Sequence, residues 1–168
     1  MSTNLQFIKS ASATSVDSLQ ITDCFNANYD VYQVVIDSDN SSNADLYIRV
    51  INNSGTVISS GSKYDFANLE MNSNTSFSEY KNTGANQFEG IGFTSLFGSS
   101  AVATFYNPHN SSSYTFASSQ TSAYYNSGQL RGGKSIGVYK NADTITGLEI
   151  RDNSTDFTYI NVSVYGVK

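Results

Sequence analysis

The stretch Tyr29–Ile51, with the sequence YDVYQVVIDSDNSSNADLYIRVI, decides the fold of this chain. In its two arms, Asp30–Ile36 and Asp45–Ile51, β-branched and aromatic residues recur at every second position, which places them on one face of a β-strand. The residues that share this face are Tyr32, Val34 and Ile36 in the first arm and Leu46, Ile48 and Val50 in the second. The stretch therefore predicts a hairpin of two central core strands.

The segment between the arms, Asp37–Ala44, is a run of Asp, Ser and Asn that has nothing to bury. Such side chains hydrogen-bond their own backbone and favour turns. Their oxygens would also suit calcium, but Ser42 stands where an EF-hand loop requires glycine, and no glutamate closes the loop. A polar hairpin loop without a metal is the favoured interpretation.

The rest of the chain repeats the same pattern of short strands and turns. Further strands are predicted at Leu19–Thr22, Thr56–Ser59, Ser62–Leu69, within Phe88–Phe97, at Ala101–Tyr106, Tyr114–Ser118, Ser122–Tyr125, Ser135–Tyr139, Thr144–Arg151 and Thr158–Val167. Turn signals about every 8–12 residues are typical of an antiparallel β-sandwich, here of jelly-roll type. The fold class predicted is all-β.

Glycine and polar runs interrupt this pattern in the middle of the chain. Asn72–Gly84 is predicted as a polar loop, with a short helical turn around Ser76–Asn82 as the alternative. Gly90 and Gly92 indicate a β-bulge. Gly132 and Gly133 are expected to separate a strand at Leu130 from the strand Ser135–Tyr139.

The first residues are set apart from the rest by composition. Leu5, Phe7 and Ile8 are apolar and predict a first strand or an N-terminal arm, and the small residues of Ser10–Ser18 predict a linker. The expected organisation is thus an arm and linker over residues 1–18 and one sandwich domain over 19–168. The segment MSTNLQFIKSASATS has no secretion-signal pattern, so synthesis in a host cytosol is expected.

Composition excludes several functions. The net charge is −5, the pI about 4.6, and the nine basic residues are scattered singly, which argues against nucleic-acid binding. No apolar run approaches the roughly 18 residues of a membrane span. The lone Cys24 precedes Phe25 and is interpreted as a small buried side chain, not as a reactive thiol.

No group of residues predicts catalysis. His109, the only histidine, follows Pro108 in a turn, where an exposed structural histidine is expected. No G-x-S-x-G motif accompanies it, and the carboxylates are spread along the chain without a marked pair. We therefore predict no catalytic residues, no metal, no cofactor and no enzyme activity.

Four tyrosines are the best binding candidates: Tyr106, Tyr114, Tyr124 and Tyr125. Aromatic rings stack on sugars, and tyrosine is also common in subunit interfaces and in ordinary sheets. Core and interface packing is the favoured interpretation, and a glycan platform is the alternative.

Three segments together resemble a family of tailed-phage virion proteins common in marine and cyanobacterial phages. These are the run from Phe25 to Ile36, the run from Leu46 to Val50 with its Asn53-Ser54-Gly55 turn, and the chain end formed by Thr146–Ile150 and Val162–Lys168. The resemblance covers both ends of the chain and omits the middle.

The resemblance implies a non-enzymatic jelly roll that decorates capsids or sits at tails, often as a trimer. The function it favours is a capsid decoration (cement) protein, located in the virion, that bridges neighbouring major capsid proteins as a homotrimer. The alternative is a tail or fibre module that binds cell-surface glycan through Tyr124, Tyr125 and their neighbours.

Overall fold

The computed structural model describes residues 4–74, 77–153 and 156–168, which form twelve β-strands and no helix. The strands are β1 Leu5–Ala13, β2 Ser18–Ile21, β3 Val31–Asn40, β4 Ala44–Asn52, β5 Tyr64–Asn72, β6 Ser78–Ala85, β7 Phe88–Thr94, β8 Ser99–Tyr106, β9 Thr115–Tyr125, β10 Gln129–Tyr139, β11 Ile145–Asp152 and β12 Phe157–Val167. The all-β class predicted from the sequence is confirmed.

Eight of these strands form a jelly roll, which we call the jelly-roll body. Its strands pair from the outside inwards, β1 with β12, β2 with β11, β3 with β8 and β4 with β7, all antiparallel. β12 also pairs with β3, and β11 with β4, so four strands lie in each of two facing sheets. This nested pairing is the double Greek-key arrangement of a jelly roll, and the predicted sandwich is confirmed.

The other four strands enlarge one sheet only, and we call them the sheet extension. The β5–β6 hairpin is inserted between β4 and β7, and the β9–β10 hairpin between β8 and β11. They produce a large sheet in the order β1-β12-β3-β8-β9-β10-β5-β6, opposite a small sheet in the order β2-β11-β4-β7.

The Tyr29–Ile51 stretch forms an arch between the two sheets, and the predicted hairpin is wrong. β3 lies in the large sheet and β4 in the small sheet, both in central positions. Both faces predicted to be apolar point into the space between the sheets, which buries them together. The fully buried residues are Tyr32, Val34, Ile36, Leu46, Ile48 and Val50.

The loop of this arch is shorter than the sequence predicted, because β3 continues through Asn40. Two inward polar residues find partners inside the sandwich. The Ser38 and Ser99 hydroxyls lie 3.0 Å apart, and the Asn40 amide donates to the Asp152 carboxylate. Hydrogen-bonded serine and asparagine can therefore occupy core positions.

Gly132, Gly133 and Gly137 lie inside β10, and the predicted break between strands at Gly132 and Gly133 is wrong. A Cβ on Gly133 would stand 3.2 Å from Cε2 of Phe93, and one on Gly137 would stand 2.6 Å from Cδ1 of Phe88. The two glycines thus leave room for rings of β7 that pack directly against the backbone of β10.

Arg131 joins the extension to the small sheet. Its guanidinium lies 4.3 Å from the centre of the Phe93 ring and donates to the Tyr125 hydroxyl at 2.8 Å. It also pairs with Glu70 at 2.5 Å and approaches Asp45 of β4 at 3.9 Å. Burial raises the pKa of the Asp45 carboxyl.

Several strand boundaries differ from the prediction. β6 occupies most of the predicted polar loop, and where the helical alternative overlaps the described residues it is wrong; Ser76 lies outside them. β9 is one strand where two were predicted. Thr56–Ser59 contributes only a single bridge, between Val57 and Ile51. The bulge predicted around Gly90 is confirmed by a register shift in the pairing of β4 with β7.

Leu5, Phe7 and Ile8 lie in β1, an edge strand of the large sheet. β1 runs through Ala13 and β2 begins at Ser18, so the connection between them is shorter than the predicted linker Ser10–Ser18. A bulge lies between Phe7 and Lys9. Such bulges are a common way to keep an edge strand from pairing with other chains.

Candidate interaction surfaces

The outer face of the large sheet carries an apolar groove of about 820 Å³. Phe116 of β9 and Ile136 of β10 project into it, with Tyr106 of β8 and Val138 of β10 beside them. The side chains of Phe116 and Ile136 are 47% and 65% exposed. We call this surface the groove.

The groove follows from the register of the extension. Tyr106 lies opposite Phe116, and Phe116 lies opposite Val138, so one apolar row crosses three strands. Ile136 stands two residues before Val138 on the same face and opposite Ser118 and Ala67, which are too small to cover it. Large and small side chains on neighbouring strands thus create a concave surface.

Three lysines and two carboxylates lie at or beside the groove. Lys81 and Asp65 line it, and Lys134 and Glu79 lie beside Ile136 on the same face. In the described parts of the chain, neither Lys81 nor Lys134 has a carboxylate within 4 Å. Lys140, in contrast, pairs with Asp65 at 2.7 Å, and its hydrogen bond lowers the pKa of that carboxyl.

A second exposed apolar feature is the turn Ser95–Gly98 between β7 and β8, which we call the tip. It presents Leu96 and Phe97, which are 52% and 62% exposed. The Phe97 ring packs edge-on against Tyr124, with ring centres 6.2 Å apart. Leu130, opposite Tyr124 on β10, extends the apolar surface.

The tip is held in place by a buried hydroxyl. The Ser95 hydroxyl is within hydrogen-bonding distance of the carbonyls of Gly98, at 3.1 Å, and Tyr124, at 2.9 Å, and accepts from the Phe97 N–H at 3.3 Å. Gly98 has a φ of +85°, which glycine adopts without strain. The two apolar side chains are therefore displayed on a preorganised turn.

Carboxylates surround the tip. An Asp39 Oδ1 atom lies 3.3 Å from the position that a Cβ on Gly98 would occupy, and Asp37 lies opposite Ser100 at the start of β8. Within the described ranges neither aspartate has a basic group within 4 Å. The tip is thus apolar with an acidic border, whereas the groove is apolar with basic neighbours.

The four candidate tyrosines do not form one platform. Tyr125 is only 7% exposed, packs on Arg131 and donates to the Ala44 carbonyl at 3.4 Å, and burial raises its pKa to about 12. Tyr106 lies at the groove, Tyr114 is exposed in the β8–β9 loop, and Tyr124 lies at the tip. Since Tyr124 and Tyr125 are neighbours in a strand, period-two alternation alone sends them to opposite faces.

The outer face of the small sheet carries a chain of polar contacts. Arg49 pairs with Glu149 at 3.3 Å and donates to Gln87 at 3.1 Å. Gln20 donates to the other oxygen of Glu149 at 3.4 Å. These side chains satisfy one another across the outer face of the small sheet.

The structure brings no catalytic set together in its described residues. His109 is partly buried rather than exposed, and no serine or carboxylate hydrogen-bonds to its ring. Cys24 is buried as predicted: its thiol donates to the Ile21 carbonyl at 3.5 Å, and burial raises its pKa to about 12.

The described residues contain no group of three or more His, Cys, Asp or Glu that could hold a metal ion. They also contain no helix that is long and apolar enough to cross a membrane.

Comparisons with known proteins give only distant likenesses. No protein-family model and no curated protein matches the sequence. Among solved structures, exo-inulinase from Aspergillus awamori is 8% identical with a TM-score of 0.34 over 98% of this chain and 29% of its own, and Pseudomonas aeruginosa AlgX is 9% identical with a TM-score of 0.39 over 97% and 27%. This chain therefore spans less than a third of either protein. A toad ovary galectin in complex with thio-digalactose is 12% identical, with a TM-score of 0.34 over 86% of this chain and 97% of its own. At these scores the likenesses carry no argument about function.

Proposed function

We propose that this protein is a structural component of a tailed-phage virion, a capsid decoration protein that associates with copies of itself and with the major capsid protein. The observation that carries the proposal is the groove on the widened face of the large sheet. Contiguous apolar surface on a folded chain marks an interaction site, since exposing it to water is unfavourable.

The architecture supports an assembly role for this face. The sheet extension adds four strands to one sheet only, so their outer face adds surface without enlarging the opposite sheet. On that face Phe116, Ile136 and Val138 are at least partly exposed. The resemblance of both chain ends to phage virion jelly rolls supplies the biological setting.

Stabilisation of the shell by a decoration protein follows from the linkage between binding and assembly. A protein that binds only the assembled shell stabilises that shell by an amount that grows with its concentration relative to its Kd. Docking through the groove would bury Phe116 and Ile136, and each such side chain contributes roughly 1.5–3 kcal/mol when fully buried.

The experiment compares phage particles that carry the gene with particles from which it is deleted. We expect the deleted particles to release their DNA at a lower temperature, and purified protein to restore the original release temperature when added back. Release at the same temperature in both particles would refute the decoration role.

The add-back step also tests the groove. Protein carrying Phe116→Ser and Ile136→Ser should fail to restore the release temperature. Protein carrying Phe77→Ser, at a 72%-exposed phenylalanine outside the groove, should restore it.

A glycan-binding tail module is the second candidate, and one observation favours it. The Phe97–Tyr124 pair lies near the hydrogen-bonded amides of Asn43 and Asn126, whose Nδ2 and Oδ1 atoms are 2.7 Å apart. Aromatic rings beside amides can stack on a sugar and bond its hydroxyls. Competable binding on a glycan array, abolished by Tyr124→Ala, would favour this function over decoration.

A further inference from the structure

The tip and the groove are complementary in shape and in charge. The tip projects Leu96 and Phe97 from a rigid turn, whereas the groove is concave and apolar. Asp37 and Asp39 border the tip. Lys81 lines the groove and Lys134 lies beside it, and because Lys140 pairs with the groove carboxylate Asp65, only Glu79 offsets these two lysines. Opposite charges around two matching apolar surfaces favour one docking orientation and disfavour like-charged alternatives.

The two surfaces of one molecule cannot meet each other. Phe116 at the groove and Tyr124 at the tip lie on the same strand, β9, eight residues apart. At about 3.3 Å per residue this separation is roughly 26 Å. Because the tip is pinned by Ser95 and the groove is built on paired strands, any contact between them joins two molecules.

We propose that the tip of one copy of this chain inserts into the groove of a second copy. This contact specifies how the self-association in the proposed function occurs, and it rests on the proposed function only for that self-association. Reciprocal insertion of two copies produces a two-fold dimer, and one-way insertion produces a closed ring or an open chain of copies. A cyclic trimer is the smallest such ring beyond a dimer.

The tip of a second copy is a favourable occupant of the groove because it is preorganised. The Ser95 hydrogen bonds fix the tip before binding, so little conformational entropy is lost on docking. Face-to-face pairing of two grooves is disfavoured, because it would bring Lys81 and Lys134 of both molecules together.

Two variants distinguish tip-in-groove association from face-to-face pairing of two grooves. Phe97→Ser removes the tip and keeps the groove, and Ile136→Ser does the reverse. Both residues are largely exposed, so folding should be preserved, which circular dichroism melting checks. Each variant is measured alone and in an equal mixture by light scattering and sedimentation equilibrium, beside wild type and the matched control Phe77→Ser.

We expect wild type and Phe77→Ser to be oligomeric and each of the two variants alone to be monomeric. The mixture should form a dimer of one copy of each variant. The intact tip of Ile136→Ser can enter the intact groove of Phe97→Ser, and no further tip or groove is then free to bind another copy. A Phe97→Ser variant that keeps the wild-type mass would overturn the proposal. So would a mixture that stays monomeric, or a wild type that is monomeric up to about 1 mM, the weak end of specific association.

A charge exchange provides a second measurement. Asp37→Lys with Asp39→Lys should weaken wild-type association several-fold at low salt, and adding Lys81→Glu with Lys134→Glu in the same chain should restore it. No restoration would overturn the assigned pairing of tip and groove. If the association measurements contradict the contact while particles without the gene still release DNA early, the decoration role is retained and the contact is rejected. If the contact is found but both particles release DNA at the same temperature, only the virion role is rejected.

Discussion

The jelly-roll body and the sheet extension share one hydrophobic interior but are held together by different contacts. The body faces its partner sheet with large apolar side chains, and Val34, Leu46 and Leu148 are fully buried there. The extension buries fewer large side chains, and the rest of its inner face consists of small and polar residues, among them Gly133, Gly137, Ser119, Ser135, Asn68 and Arg131. Its large buried residues are Tyr64, Phe66 and Tyr139 in the main core, and Tyr125, which forms a small separate cluster with Ala123 and with Phe93 of β7.

The difference shows how one sheet can be widened without a matching second layer. β7 provides most of the small-sheet contacts with the extension, and β4 reaches it at Ala44, Asp45 and Val50, so the opposing surface is smaller than in the body. Glycine lets the β7 rings approach the backbone, and Arg131 links the two sheets by charge and ring contacts. The outward apolar residues of the extension, such as Phe116 and Ile136, have no layer above them and are available to partners.

The largest expected effect comes from a matched leucine pair. Leu46→Ala in the body should lower the free energy of unfolding by about 2–5 kcal/mol, because it leaves a cavity in a closely packed core. Leu69→Ala in the extension, at a side chain that is 50% exposed, should change it by less than about 0.5 kcal/mol. Urea unfolding of both variants checks this, and equal losses would contradict the contrast between the regions.

The inter-sheet contact of Arg131 should rank second. Arg131→Met leaves the carboxylates of Glu70 and Asp45 without their cation, and we expect a loss of about 2–4 kcal/mol for this mostly buried group. The control is Arg151→Met, since Arg151 forms no ion pair among the described residues. Similar urea midpoints for the two variants would show that Arg131 does not hold the extension in place.

Glycine packing in β10 should have a smaller effect. Gly137→Ala places a Cβ 2.6 Å from Phe88, and the resulting overpacking should cost about 1–3 kcal/mol. Gly132→Ala on the outer face, with its nearest contact at 3.2 Å, should cost less. Thermal melting of the two variants compares these costs. A higher melting temperature for Gly137→Ala than for Gly132→Ala would contradict the close approach of β7 to the backbone of β10.

The smallest effect concerns pH. A 2.6 Å hydrogen bond from Tyr139 at the end of β10 lowers the pKa of the Asp143 carboxyl from its usual value. A carboxyl with a lowered folded-state pKa stabilises the fold above its unfolded pKa and loses that contribution as the pH falls through the folded value. Asp143→Asn should therefore flatten the fall in stability below about pH 4 by less than about 1 kcal/mol. Unfolding curves at pH 7 and pH 3 test this, and an unchanged difference between the two would contradict it.

Period-two alternation predicted the body well because its strands bury large residues on one face. β3, β4, β11 and β12 were all found from Val, Ile, Leu and Tyr at alternate positions. The pattern reports which face is buried and does not report which sheet the strand joins. The arch at Tyr29–Ile51 was therefore predicted as a hairpin.

The extension was predicted less well for the same physical reason. β6, with the sequence SEYKNTGA, buries almost nothing and is a strand because its backbone pairs with β5. β10 contains glycine where rings from β7 need space. The local sequence of β10 does not show that these rings pack against it, so the glycines could not be recognised as part of a strand. The groove and the tip depend on the register between strands distant in sequence, so neither site could be predicted from the chain alone, although Tyr106 and Tyr124 each lie at one of them.

The outside-in pairing of the body has a consequence for the order of folding. Leu5 of β1 pairs with Val167 of β12, so closing the body joins residues nearly a whole chain apart. Folds dominated by such distant contacts form in milliseconds to seconds, whereas a hairpin such as β9–β10 forms in about 1–10 μs. We therefore expect the extension to acquire its hairpins first and β1 to remain unpaired until β12 arrives, so that Leu5 and Phe7 are exposed for most of the folding reaction.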